Sequence, residues 1–194
     1  MSIGIVACGA LATHISEIVS DNGLDVVIYP LPPLLHNRPE KIAGEVDALL
    51  HEIKEKHSSC AVAYADCGTY GALDTVIAAH GVKRLGGNHC YDIFAGAKRI
   101  EELMASDAGT YFLTDFLVKS FHRSVIVELS LDKRPELRDD YFKNYSRVIW
   151  LAQQPTDELK SLALAAAQEI DLPLEVEYVG YGQLSEQVKA LLSN

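Results

Sequence analysis

From residue 3 onward, short apolar runs alternate with segments of helical period, and that alternation admits few folds. Ile3-Gly4-Ile5-Val6-Ala7 is apolar throughout, as a strand covered on both faces is. Leu11, Ile15, Ile18 and Val19 then fall on one face of a helix over residues 10–21, with His14 at its core edge. Asn22-Gly23 stops it, and a second strand follows over 25–29. The prolines of Pro30-Leu31-Pro32-Pro33 exclude helix and predict an extended crossover. Asn37 with Glu40 reads as a cap pair, with Pro39 in the first turn of a helix running to about residue 56. His51 and His57 lie on or past the polar side of that helix and are read as solvated. Further strands are expected over 60–64, 82–86, 110–113, 148–152 and 174–179, and helices over 69–79, 91–105, 116–121, 157–170 and 183–192. Residues 124–145 are open: 125–131 fits helix or strand, and a short helix is expected over 136–142.

Strands and helices alternating at this density predict an α/β fold with a doubly wound, mostly parallel open sheet. The 194 residues suffice for a single α/β domain with one core, or for two pseudo-repeated α/β halves with a subdivision near Ser106. A net charge of −10, with no Lys/Arg cluster, argues against nucleic acid or an anionic membrane surface as partner. The first residues lack a basic flank and a cleavage signature, and no apolar run is long enough to span a bilayer. The expectation is therefore a cytoplasmic protein, whose four cysteines are reduced thiols or metal ligands.

Ligands of open parallel sheets bind beyond the carboxyl ends of the strands, and the unusual residues of this chain cluster there. Cys8 follows strand one, and His36 and Arg38 follow strand two. Asp66 and Cys67 follow strand three, His89, Cys90 and Asp92 strand four, Thr114 and Asp115 strand five. Cys60 begins its strand at the opposite edge and is read as structural. In Tyr64-Ala65-Asp66-Cys67-Gly68-Thr69-Tyr70-Gly71, a strand turning directly into a helix would put the thiol at the positive end of the helix dipole. The thiolate would be favoured there, and the amides would face an anion.

Cys8, Cys67 and Cys90 are the candidate metal ligands, since three thiols with an imidazole meet the demand of tetrahedral zinc. His36, His89 or a substrate would take the fourth position. Three thiolates equally suit an iron–sulfur cluster with one iron free. Asp66, His36 and His89 are the candidate acid–base groups, and Arg38, Gly68 and Thr69 the candidate groups for a small anionic ligand. Arg38 has an alternative as a surface partner of Glu40 or Asp66, and Asp115 reads as a helix cap. A metal-free alternative uses two thiols as acid and base on opposite faces of one carbon. It resembles the arrangement of cofactor-independent amino-acid racemases, whose cysteine loops Ala65-Asp66-Cys67-Gly68-Thr69 is similar to. In a third alternative the cysteines only pack.

Four segments together resemble an uncharacterised bacterial and archaeal family, a domain of unknown function. They are His36-Asn37-Arg38-Pro39-Glu40-Lys41-Ile42, residues 64–71, Gly87-Asn88-His89-Cys90-Tyr91-Asp92 and residues 109–116, and the likeness covers nearly the whole chain. Members of that family are often encoded near corrinoid-dependent methyltransferases, so the resemblance implies a link to one-carbon metabolism. It also implies a corrinoid protein or methyltransferase as partner, and zinc activating a thiol for methyl transfer. A non-catalytic carrier of metal or corrinoid is the further class this resemblance admits.

Overall fold

The computed structural model describes residues 2–193, and every strand pairing in it is parallel. The fold is α/β, with its strands in two sheets rather than one. Each sheet belongs to its own compact unit: the first runs up to Ile93 and resumes at Gln183, and the second spans Phe94–Gly182.

The first unit begins with β1 (Ile3–Cys8), α1 (Ala12–Asp21) and β2 (Val26–Leu31). Pro30 therefore lies inside a strand; β2 is at the sheet edge, where a missing N–H leaves no gap in a central ladder. A 3-10 turn (Pro33–Asn37) replaces part of the expected extended crossover and leads into α2 (Pro39–Ile53). The N-cap of α2 is Arg38, without a side-chain cap bond, so Asn37 is not the cap. Then come β3 (Ser59–Ala63), α3 (Ala72–His80), the two-residue β4 (Lys83–Arg84) and α4 (Cys90–Ala95).

Sheet order is β2-β1-β3-β4. The chain moves outward from β1 to β2 and then crosses back to β3, so the winding reverses between β1 and β3. Right-handed crossovers place α1 on one face of the sheet and α2 and α3 on the other, and α2 packs on α3. Ile5, Val6, Ala61, Val62 and Ala63 of the central strands are buried to 1% exposure or less, as strands covered on both sides should be. Ile42, Val46, Leu50 and Ile53 supply the apolar stripe of α2.

The second unit contains α5 (Ala97–Ser106), β5 (Thr110–Thr114), α6 (Asp115–Phe121), a π-helical turn (His122–Val127), a 3-10 turn (Pro135–Leu137) and α7 (Arg138–Phe142). It continues with β6 (Arg147–Ala152), α8 (Asp157–Glu169) and β7 (Leu174–Tyr178), in sheet order β5-β6-β7. The expected helix over 91–105 is broken at Gly96, whose φ of 84° ends α4 before α5 begins. Residues 122–127 continue as the π-helical turn and 128–133 as turns, so the open stretch over 125–131 forms no strand and is helical only in its first part. Trp150 is fully buried among Leu113, Val118, Phe121, Leu159 and Ala163. The chain then returns to the first unit as α9 (Leu184–Leu192), which packs beside α1. Among the described residues no helix is long and apolar enough to cross a membrane.

Candidate functional site

Register fixes where the thiols lie. Ala7 pairs with Ala63, so Cys8, the last residue of β1, stands level with Tyr64, just past the end of β3. These two strands flank the reversal of winding, where ligands of such sheets bind. Beyond β3 the chain joins the loop after β4 by two backbone bonds: Asp66 N donates to Gly87 O (3.1 Å) and Cys67 N to Asn88 O (2.7 Å). Cys90 follows two residues later as the first residue of α4. Cys8, Cys67 and Cys90 therefore share the carboxyl edge of one sheet, and all are free thiols. Cys60 pairs with Gly4 at the amino edge, apart from them.

Two aspartates shape these loops. The Asp66 carboxylate accepts from Thr69 Oγ1 (2.7 Å) and from the amides of Gly68, Tyr70 and Gly71 (3.2 Å each). Around it Cys67 (φ 50°) and Tyr70 (φ 50°) adopt the left-handed backbone that side chains disfavour. The Asp92 carboxylate likewise accepts from the amides of Asn88 (2.8 Å) and His89 (3.1 Å).

The expected dipole-activated thiolate is not what this loop makes. Helix α3 starts only at Ala72, and the amides before it serve Asp66 instead of a ligand. Burial, then the neighbouring Cys8 and Asp66 charges, push the Cys67 thiol up to about 12. Burial, then Cys67 and Cys8, push Cys90 well above the ordinary value. Burial also raises Cys8, against the Ala10 backbone, the Tyr64 hydroxyl and the Leu11 backbone. Asp66 moves the other way: burial alone would raise it, but the Thr69 hydroxyl and the three amides hold it below the usual carboxylate value.

The remaining predicted residues are more scattered. His36 Nδ1 is 2.8 Å from Pro33 O, its own turn. Arg38 is exposed and, among the described residues, makes no ion pair within 4 Å, so it is paired with neither Glu40 nor Asp66. His89 is exposed, its ring stacked over Tyr91. Gly68 N and Thr69 Oγ1 are committed to Asp66. Thr114 and Asp115 belong to the other sheet. Thr114 caps α6, accepting from Leu117 N, while Asp115 is buried and accepts from Trp150 Nε1 (2.9 Å), Gln153 N and Gln154 N. The expected cap at Asp115 is thus displaced by one residue. His57 is not merely solvated: its two ring nitrogens meet Ser2 Oγ (2.9 Å) and Tyr29 Oη (2.8 Å).

Two residues of the edge went unselected in the sequence. Tyr64 is fully buried, and its hydroxyl makes no hydrogen bond of ordinary geometry. Burial, then the Cys8 and Cys67 thiols beside it, push its pKa far up. Arg84 is the cation whose charge reaches Cys67, and it is clamped by Asp74 at 2.6 and 3.1 Å. Its place at the carboxyl end of a strand was the available signal. Among the described residues, no set of three His, Cys, Asp or Glu donors within 4.8 Å of one another includes the thiols, whereas Asp47, His51 and His80 form one.

Compared with known proteins, the chain matches a family model over residues 30–188, described as "Protein of unknown function (DUF1638)". No curated protein and no solved structure matches it.

Proposed function

The chain belongs to the DUF1638 family, and we propose that its first unit holds a metal through the thiolates of Cys8, Cys67 and Cys90. With that metal it acts on a small molecule at the carboxyl edge of the sheet. The observation that carries this reading is that three free thiols share the carboxyl edge of the first sheet, beside the reversal of winding between β1 and β3. The donor set fits a soft cation: three free thiols, of which Cys8 raises the pKa of Cys67 and both raise that of Cys90, and a buried tyrosine hydroxyl with only the Cys8 thiol beside it. The nearest opposing charge, Arg84, is already engaged by Asp74. When bound, such a centre keeps its thiolates deprotonated and supplies a Lewis acid at neutral pH. The chain's own part is to fix the sulfurs through the Asp66 and Asp92 loops and to aim Tyr64 at a bound group.

Spacing favours an iron–sulfur cluster over a single zinc ion. A Zn–S distance of about 2.3 Å brings tetrahedral sulfurs to about 3.8 Å of one another, closer than the thiols stand as a set. A cluster spreads its thiolates over separate irons and accepts a wider triangle.

Methyl-group or one-carbon chemistry in the cytoplasm, beside a corrinoid protein or methyltransferase, is the setting the family resemblance implies. An anionic substrate would rely on the unpaired Arg38 rather than on the loop amides. A carrier without turnover would use the same three ligands.

The test is metal and acid-labile sulfide analysis of protein purified without oxygen. Wild type should carry zinc, or iron with sulfide, in stoichiometric amount, and Cys67→Ser should lose most of it while Cys60→Ser keeps it. A metal-free wild type, with or without oxygen, ends the proposal and leaves the two-thiol acid–base chemistry.

A further inference from the structure

The opposite edge of the first unit carries a second donor set, and it contains no sulfur. Asp47 and His51 stand four residues apart on α2, so one face of the helix presents both. His80 is the last residue of α3, which lies against α2. Asp47 Oδ1 is 2.6 Å from His80 Nε2 and 3.4 Å from His51 Nδ1. The two imidazoles meet edge to face with ring centroids 4.5 Å apart. All three ligand atoms lie within 4.8 Å of one another. They line a cavity of about 320 Å³ together with Lys54, Glu55 and Ala79.

We infer that Asp47, His51 and His80 form a binding site for a divalent transition-metal ion, separate from the thiol edge. Two imidazoles and one carboxylate suit zinc, cobalt, nickel or copper. Three protein ligands leave a position open to solvent, the pattern of sites that bind water or a small ligand. Ligand bonds of about 2.0–2.2 Å place tetrahedral donors about 3.3 Å apart, close to the 3.4 Å already present between Asp47 and His51. The His80–Asp47 contact has only to open by a fraction of an ångström. His80 supplies the rigid member: its side chain is 6% exposed, and Lys54 Nζ holds its carbonyl at 2.9 Å. His51 supplies the adjustable one, with a side chain 71% exposed whose Nδ1 now bonds Asp47 O. The Asp47 carboxylate already faces His80 Nε2 at hydrogen-bonding distance, on the side where a cation would sit.

This inference does not depend on the thiolate centre, and cobalt distinguishes the two. Chelator-treated full-length protein is titrated with Co²⁺, and bound metal and absorption are recorded for wild type, Asp47→Asn, His51→Ala and His122→Ala. His122 is an exposed histidine of the second unit and serves as control. Asp47→Asn and His51→Ala should each bind one Co²⁺ fewer than wild type, and His122→Ala the same number. Any thiolate-to-cobalt charge-transfer absorption should be unchanged in all of them. Equal stoichiometry in the four proteins overturns the site, as does a loss seen only in the charge-transfer band. Proton NMR of the wild type needs no variant to fold: substoichiometric Co²⁺ should broaden the His51 and His80 ring signals first. Ring signals of His51 and His80 that stay sharp overturn it as well.

Discussion

Tyr64 places a hydroxyl in the interior with no hydrogen-bonding partner beyond the weakly accepting Cys8 thiol beside it, and leaving such a group so poorly satisfied costs about 1–3 kcal/mol. Natural chains keep burdens of that kind where a ligand relieves them. Tyr64→Phe should therefore stabilise the metal-free protein by about 1 kcal/mol in urea denaturation, while weakening metal or substrate binding at the thiol edge. A destabilised Tyr64→Phe would mean that the hydroxyl is satisfied within the fold. Asp66 is the converse case, a partly exposed carboxylate receiving four hydrogen bonds. Its folded pKa lies below the ordinary value. Its stabilisation is therefore present above the unfolded carboxylate pKa and is lost as pH falls through the folded one. Asp66→Asn should lower stability at pH 7 by about 1–2 kcal/mol, and the gap to wild type should close below pH 4. A gap independent of pH would assign the effect to shape and not to charge.

Among elements, the turn from β1 into α1 leaves no room for a side chain. A Cβ on Gly9 would stand 2.5 Å from Leu31 O and 2.9 Å from the Pro33 ring, so β1 can leave the sheet there only without a side chain. Gly9→Ala should destabilise the first unit by about 1–3 kcal/mol and displace Cys8, measurable as faster thiol alkylation under native conditions. Unchanged stability and reactivity would show that the turn yields. The legible elements were those whose periodicity spans a whole segment: β1, α1, α2, α8 and the loops carrying Cys8, Cys67 and Cys90. The start of α3 was misread because Thr69 and Tyr70 look helical, whereas Asp66 bends both into its own hydrogen-bonded turn. His51 looked solvated, and Asp47 drew no notice, because His80, their third member, is 29 residues beyond His51 in sequence and meets them only through the packing of α2 on α3. The placement of β5 in a separate sheet was equally hidden, since its sequence reads like any parallel strand.

At the scale of the molecule, the two units carry separate spectroscopic labels. All four cysteines fall in the first unit and the one tryptophan in the second. A metal bound at the thiols at 100 times its dissociation constant should stabilise the first unit by about 2.7 kcal/mol. In denaturant the transition followed by thiol reactivity should move upward, while the transition followed by Trp150 fluorescence stays in place. A common shift of both would mean that the units unfold as one cooperative block.

The return of the chain to its first unit also orders events during synthesis. Gln183 N donates to Ile93 O at 3.0 Å, and Leu184 and Val188 of α9 are completely buried. The second unit is one uninterrupted stretch, whereas the first lacks α9 until that whole stretch has been made. At roughly 5–20 residues per second the ribosome takes several seconds or more to bridge this interval. Throughout it the three thiols exist on a nascent chain whose enclosing layer has yet to be translated.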